Sequence, residues 1–116
     1  METKPRFSDG NIKTDEGKPR YDLVPARAEE GVAKAFTYGA RKYEDHNWLK
    51  SEHPEMYYSA ARRHLAEIRK GEWVDQESGL PHVDHAIVSL IMFRELSERK
   101  GIYLSREPVQ IQNEEK

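Results

Sequence analysis

No cysteine occurs among the 116 residues, which excludes disulfides and thiolate metal sites and fits a reducing compartment such as the cytoplasm. An excess of charge of one sign is also missing. Lys plus Arg number 19 and Asp plus Glu 21, so no global field favours nonspecific binding to nucleic acid, and direct nucleic-acid binding is not expected. Long apolar runs are absent: the longest, residues 86–93, is interrupted by Ser89 and is far too short to span a bilayer. Residues 1–7 lack the apolar stretch of a secretory signal. Apolar residues make up 36% of the chain, against about 45–50% in average soluble domains. The expectation is one small soluble, cytoplasmic domain with a modest core, which association with a second copy would enlarge.

What is present is mostly helical in pattern. Residues 1–18 are polar, carry the turn pairs Asp9-Gly10 and Glu16-Gly17, and read as an irregular arm. Two prolines, Pro19 and Pro25, bracket a stretch whose alternation of charged and apolar residues suggests an extended segment. Pro25 suits a first helical turn, after which Ala28, Val32, Ala35 and Phe36 recur at helical spacing, and Gly39 marks either the end of this helix or a close contact within it. A second helix is expected from about Pro54 to Arg69, started by Ser51 as N-cap and closed by Lys70-Gly71. A third runs from about Pro81 to Lys100 and stops at Gly101. Its middle, from Ala86 to Phe93, leaves little polar face, which predicts burial on several sides and a homodimer or higher homo-oligomer. The whole reads as an all-α protein: a helical domain over 19–101 between an N-terminal arm and an extended tail, 102–116.

The chemistry is concentrated between Tyr57 and Leu96. His64 and Glu67 in the second helix, and His82 and His85 in the third, sit three residues apart and so share a face, about one turn apart. If the two helices pack antiparallel, these four donors converge on one point, near Asp75 and Glu77 in the connecting turn. That is divalent-metal geometry. Mixed nitrogen and oxygen donors suit Mn, Fe, Co, Ni or Zn, whereas Mg would lean on the carboxylates. His82 and His85 stand at a helix N-terminus, where an imidazolium is disfavoured and the neutral, metal-binding form is favoured. A divalent ion with open positions acts as a Lewis acid on phosphoryl oxygens. Asp75 or Glu77, if not itself a ligand, is then the candidate general base and catalytic group.

A second concentration lies at residues 40–48, with two cations, two aromatics, an amide, two acids and an imidazole. Arg20, Arg41, Lys42, Arg62 and Arg63 are candidates to neutralise phosphate, and Tyr43 and Trp48 to stack on a base, with Asn47 beside them. The plainer alternative has Tyr43 and Trp48 packing helix ends while Arg41 and Lys42 form a solvated face.

The blocks Gly17-Lys18-Pro19-Arg20-Tyr21-Asp22-Leu23-Val24-Pro25, Tyr38-Gly39-Ala40-Arg41-Lys42-Tyr43, Asn47-Trp48, Arg63-His64-Leu65 and Asp75-Gln76-Glu77-Ser78-Gly79-Leu80-Pro81-His82 occur in fixed order. Together they resemble the phage-encoded N-terminal domain of dATP/dGTP diphosphohydrolases, over roughly Asn11 to Leu96. The resemblance implies a nucleotide-processing protein acting in a host cytoplasm. A more distant likeness is to the all-α MazG-type nucleoside triphosphate pyrophosphohydrolases, which carry Glu-x-x-Glu and Glu-x-x-Asp on paired helices. Here His64-x-x-Glu67 and His82-x-x-His85 take those places, so three of four carboxylates are histidines and the family's preference for magnesium does not transfer directly. HD-type phosphohydrolases rank lower, because this chain has Asp45-His46 and Asp84-His85, the reverse order. The resulting expectation is a metal-dependent hydrolase of purine (deoxy)nucleoside triphosphates in phage nucleotide-pool metabolism. The rivals are a viral protein that sequesters a nucleotide without cleaving it, and a helical assembly module whose histidines only satisfy core hydrogen bonds.

Overall fold

A computed structural model describes residues 13–101; the expected arm up to residue 12 and the expected tail, 102–116, lie outside the described residues. Three α-helices carry the fold: α1 (Ala26–Lys42), α2 (Glu55–Arg69) and α3 (His82–Lys100). Among the described residues there is no strand beyond isolated bridge pairing, so the architecture is the all-α one expected. The chain divides into two compact units, Met1–Glu30 and Gly31–Lys116.

In the first unit, the stretch expected to be extended forms instead a short 3-10 turn, Tyr21–Leu23. The cause is local. Arg20 Nη2 donates to Asp22 Oδ2 at 2.9 Å, and Leu23 N and Val24 N close back on the carbonyls of Arg20 and Tyr21 at 3.1 Å.

In the second unit, α2 and α3 form an antiparallel pair, with Tyr58 against Phe93 at one end (ring centroids 5.6 Å apart) and His64 against His82 at the other (5.1 Å). The described core is thin: Ala35, Ala61, Ala86, Val88 and Leu96, with Pro54 fully buried beside them. Small residues at the contact let the helices approach closely but bury little apolar area. Met56, Leu65, Leu90 and Ile91 stay exposed, so this helix pair alone does not cover the apolar middle of α3.

Both Gly39 and Ser51 behave differently from expectation. α1 passes through Gly39 without ending, and a Cβ there would meet nothing within 4 Å. The close contact belongs to Gly31, where a Cβ would stand 2.7 Å from both carboxylate oxygens of Asp84. Ser51 does not cap α2. It follows a short 3-10 helix, Asn47–Lys50, and its Oγ accepts from His53 N at 3.1 Å, while α2 begins after Pro54.

The end of α2 sets the direction of the loop that leads to α3. Gly71, at φ +98°, donates to the Ile68 carbonyl and Glu72 N donates to the Glu67 carbonyl, both at 2.9 Å. This paired closure is the Schellman arrangement, which needs a left-handed residue and turns the chain back sharply. The returning segment then pairs Val74 with Pro81 in an antiparallel bridge, and α3 starts at the next residue.

Candidate functional site

The loop between α2 and α3 is built by backbone hydrogen bonds that leave its acidic side chains little choice of position. Asp75 N donates to the Leu80 carbonyl, Gly79 N to the Asp75 carbonyl and His82 N to the Trp73 carbonyl, each at 2.8 Å. Gly79 takes φ +76°, a conformation that costs a residue with a Cβ. Ser78 N donates to Asp75 Oδ2 at 2.8 Å, so the Asp75 carboxylate is anchored inside its own turn.

Three donors meet there. One nitrogen from each of His64 and His82 and one oxygen of Asp75 lie within 4.8 Å of one another. The two imidazoles approach to 2.8 Å, Nδ1 to Nδ1, and His82 is 6% exposed. Such a separation needs a proton or a cation between two nitrogen lone pairs, since two bare acceptors would repel. Burial, and the neighbouring rings of His85 and His82, push the His64 pKa down. Burial likewise lowers that of His85, against the opposing pull of Asp75. For Asp75 burial alone would raise the value, but the hydrogen bonds from Ser78 and the adjacent His85 outweigh it and hold the carboxyl below its ordinary range. A neutral His64 beside an ionised carboxylate is the protonation pattern that a divalent cation requires, and two nitrogens with one oxygen make a donor set that fits one.

The other expected ligands stand beside this group rather than in it. His85 stacks on His64 (centroids 4.9 Å apart, planes at 18°), and its Nε2 is 2.7 Å from Ser78 Oγ and 3.8 Å from Asp75 Oδ2. Glu67 shares the same cleft, but its carboxylate is paired at 3.0 Å with Nζ of Lys70, the residue that follows α2. The cleft measures about 860 Å³, and Arg63, Lys70 and Gln76 also line it.

Glu77 is outside the donor group. Its Oε2 accepts from Tyr38 Oη and from Lys42 Nζ, both at 2.5 Å, and these two bonds, Lys42 first, lower its pKa. Through the same contacts the pKa values of Lys42 and Tyr38 rise. Tyr38 also sets its ring edge-on to His85, with centroids 5.8 Å apart. Sequence reasoning passed over Tyr38 and Ser78 as site residues. The signal for Tyr38 was its spacing of one helical turn from Lys42, whereas Ser78 carried none beyond that of a helix start.

A second cavity, about 690 Å³, lies at the other end of the helix pair. Phe36, Tyr43, Asn47, Trp48, Tyr57 and Met92 contribute to its lining, with Phe36 and Trp48 6.2 Å apart. Tyr43, Asn47 and Trp48 thus line one cavity. Lys42 connects the two regions, its Nζ lying 6.0 Å from the Tyr38 ring centre and 5.5 Å from that of Tyr43. Arg41 is exposed and lines neither cavity, while Arg20 belongs to the first unit, paired with Asp22. No helix among the described residues is long and apolar enough to cross a membrane.

Comparison with known proteins gives a consistent picture. The family model described as dATP/dGTP diphosphohydrolase, N-terminal, matches residues 8–105. A dATP/dGTP diphosphohydrolase of Salmonella phage PMBT28 is 38% identical over 82 residues, covering 69% of this chain and 27% of that protein. The match thus spans about a quarter of the length of the curated relative. No solved structure matches.

Proposed function

Because this chain belongs to the family of dATP/dGTP diphosphohydrolase N-terminal domains, we propose that it is a metal-dependent hydrolase of purine (deoxy)nucleoside triphosphates. The observation that carries the reading is the convergence of His64, His82 and Asp75 in an open cleft bordered by cationic side chains.

In this reading His64, His82 and Asp75 hold the divalent cation, with His85 and Glu67 close enough to orient or complete the set. The cation would supply Lewis acidity and charge neutralisation to a phosphoryl group; Mn, Co, Fe and Zn suit the donors better than Mg. Ser78 fixes the Asp75 carboxylate and the His85 ring, so neither has to reorganise when substrate arrives. Glu77 is the candidate general base: it stays ionised at neutral pH, and Lys42 and Tyr38 hold one of its oxygens while the other can accept from a water. Arg63 and Lys42 neutralise phosphate charge, with Arg41 as a further cationic candidate, and Tyr43, Asn47 and Trp48 receive the base or sugar. Association into a homodimer or higher oligomer would cover Leu65, Leu90 and Ile91.

The test is elemental analysis of the purified protein, then product analysis on a deoxynucleoside triphosphate panel with added Mn, Co or Mg. Bound metal and release of phosphate, diphosphate or triphosphate from dATP or dGTP is the expected result. A His64→Ala, His82→Ala double variant that keeps full turnover would sink the site assignment. Stoichiometric binding with no product under any metal would replace the hydrolase by a nucleotide-sequestering protein.

A further inference from the structure

Four residues of α1, Gly31, Ala35, Tyr38 and Lys42, recur at spacings of four, three and four. Such spacings put them on one face of the helix. The first two are small. Gly31 meets the Asp84 carboxylate so closely that a Cβ would stand 2.7 Å from both of its oxygens, and Ala35 is buried. Asp84 is the residue before His85 on α3, so this close approach seats α1 against the helix that carries two of the histidines. The last two residues of the stripe, Tyr38 and Lys42, then reach Glu77.

We infer that Tyr38 is a positioning residue for the metal group, its hydroxyl fixing the Glu77 carboxylate while its ring edge fixes the His85 imidazole. The inference rests on the proposed hydrolase function, in which Glu77 is the candidate base, and adds the residue that ties that base to the donor group. Both contacts are made by one stiff side chain. Tyr38 Oη donates to Glu77 Oε2 at 2.5 Å, a charge-assisted bond at the short end of its range, and the ring meets that of His85 edge-on with the planes at 77°. His85 in turn stacks on His64, one of the three donors. A shift of Tyr38 is therefore felt by the base and by the donor group together.

Lys42 is not equivalent. It shares Glu77 Oε2 with Tyr38, but its ammonium rides on a flexible four-carbon stem and is also a phosphate contact in the proposed function. When the ammonium turns to phosphate, the neutral hydroxyl of Tyr38 is the bond that keeps Glu77 in place.

The experiment compares the full parent chain with Tyr38→Phe and Tyr38→Leu, by steady-state kinetics on dGTP and dATP and by calorimetric titration with Mn. Tyr38→Phe keeps the ring against His85 and loses only the hydroxyl, so kcat should fall about tenfold to a hundredfold while KM and Mn affinity hold. Tyr38→Leu loses both contacts and should also weaken Mn binding about tenfold, as removing the support of a ligand does. Gly31→Ala checks the seat without touching Tyr38: it should lower kcat in the parent and have little effect in an Asp84→Ala background, where the clashing carboxylate is gone. Full kcat in Tyr38→Phe, or parent-like Mn affinity in Tyr38→Leu, would overturn the inference while leaving the hydrolase untouched. A loss of kcat, Mn affinity and melting temperature together in Tyr38→Phe would also overturn it, since that is the pattern of a residue that merely packs α1. An inert parent whose Mn affinity survives Tyr38→Phe but falls in Tyr38→Leu would do the opposite, removing the hydrolase and keeping Tyr38 as the support of the metal group.

Discussion

The two ends of the α2–α3 pair are built on different physical terms. At the His64 end, polar side chains are fixed by hydrogen bonds running through one nine-residue connection, roughly Glu72 to Leu80, and every donor has a backbone or side-chain neighbour that sets its place. At the Trp48 end, aromatic and thioether side chains from α1, the 43–48 loop, α2 and α3 supply much of the wall, with Glu44, Asp45, His46 and Asn47 beside them. Directed bonds give precision, which chemistry at a phosphoryl group needs. Loose apolar contact gives area, which suits recognition of a flat ring. The division of labour in the proposed function follows from that difference.

The comparison breaks most visibly at the histidines. His82→Ala should abolish metal retention and lower turnover by about a thousandfold or more, because it removes the buried nitrogen that stands against His64 in the donor group. Far-UV circular dichroism should change little, since position 82 is the first residue of α3. Trp48→Ala should act on the other side: a loss of about 1–3 kcal/mol of base stacking raises KM or Kd about tenfold to a hundredfold, with metal content unchanged. An effect of Trp48→Ala on metal content would show that the two ends are not independent.

Gly79→Ala sharpens the role of the connection. It imposes a strain of about 1–2 kcal/mol at φ +76° and should lower both thermal stability and metal affinity, read by melting with and without added Mn. By contrast Gly39→Ala, with open space around its Cβ, should be neutral or slightly stabilising.

The smallest effect expected is on pH. His64 and His85 have folded pKa values below the ordinary value of about 6.5, burial being the main cause. Unfolding then takes up protons, so in metal-free protein their contribution is complete above about pH 6.5. It declines as pH falls from there toward the depressed folded values. Asp75, also depressed, adds a loss of the same sign at more acidic pH. A melting temperature that stays flat between pH 7 and 5 would contradict the burial of the two rings.

How far the residues alone foretold this molecule depends on the range of the interaction. The ends of α2 and α3 followed from local rules: Lys70-Gly71 and Gly101 supply left-handed closures wherever they occur in a chain, and these helices stop where expected. The convergence of His64 with His82 was also legible, because three-residue spacing on two helices joined by a short turn leaves few alternatives. Local rules failed where polar side chains competed: the Arg20 to Asp22 pair curled a stretch that alternation marked as extended, and the Ser51 hydroxyl accepts from His53 N instead of capping the first turn of α2.

What only the tertiary structure decided involves partners distant in sequence. Glu67 has the right spacing to His64, yet its charge is taken by Lys70, and no pattern chooses between an ion pair along a helix and a ligand across it. Glu77 finds Tyr38 and Lys42 from α1, and Gly31 rather than Gly39 is the residue whose missing Cβ admits a neighbour, Asp84. Helix periodicity determined which faces are apolar and where the ligand-type residues recur. Helix packing determined which of those residues stand within reach of one another, because the angle and depth at which α2 and α3 meet depend on side-chain volumes from both helices at once.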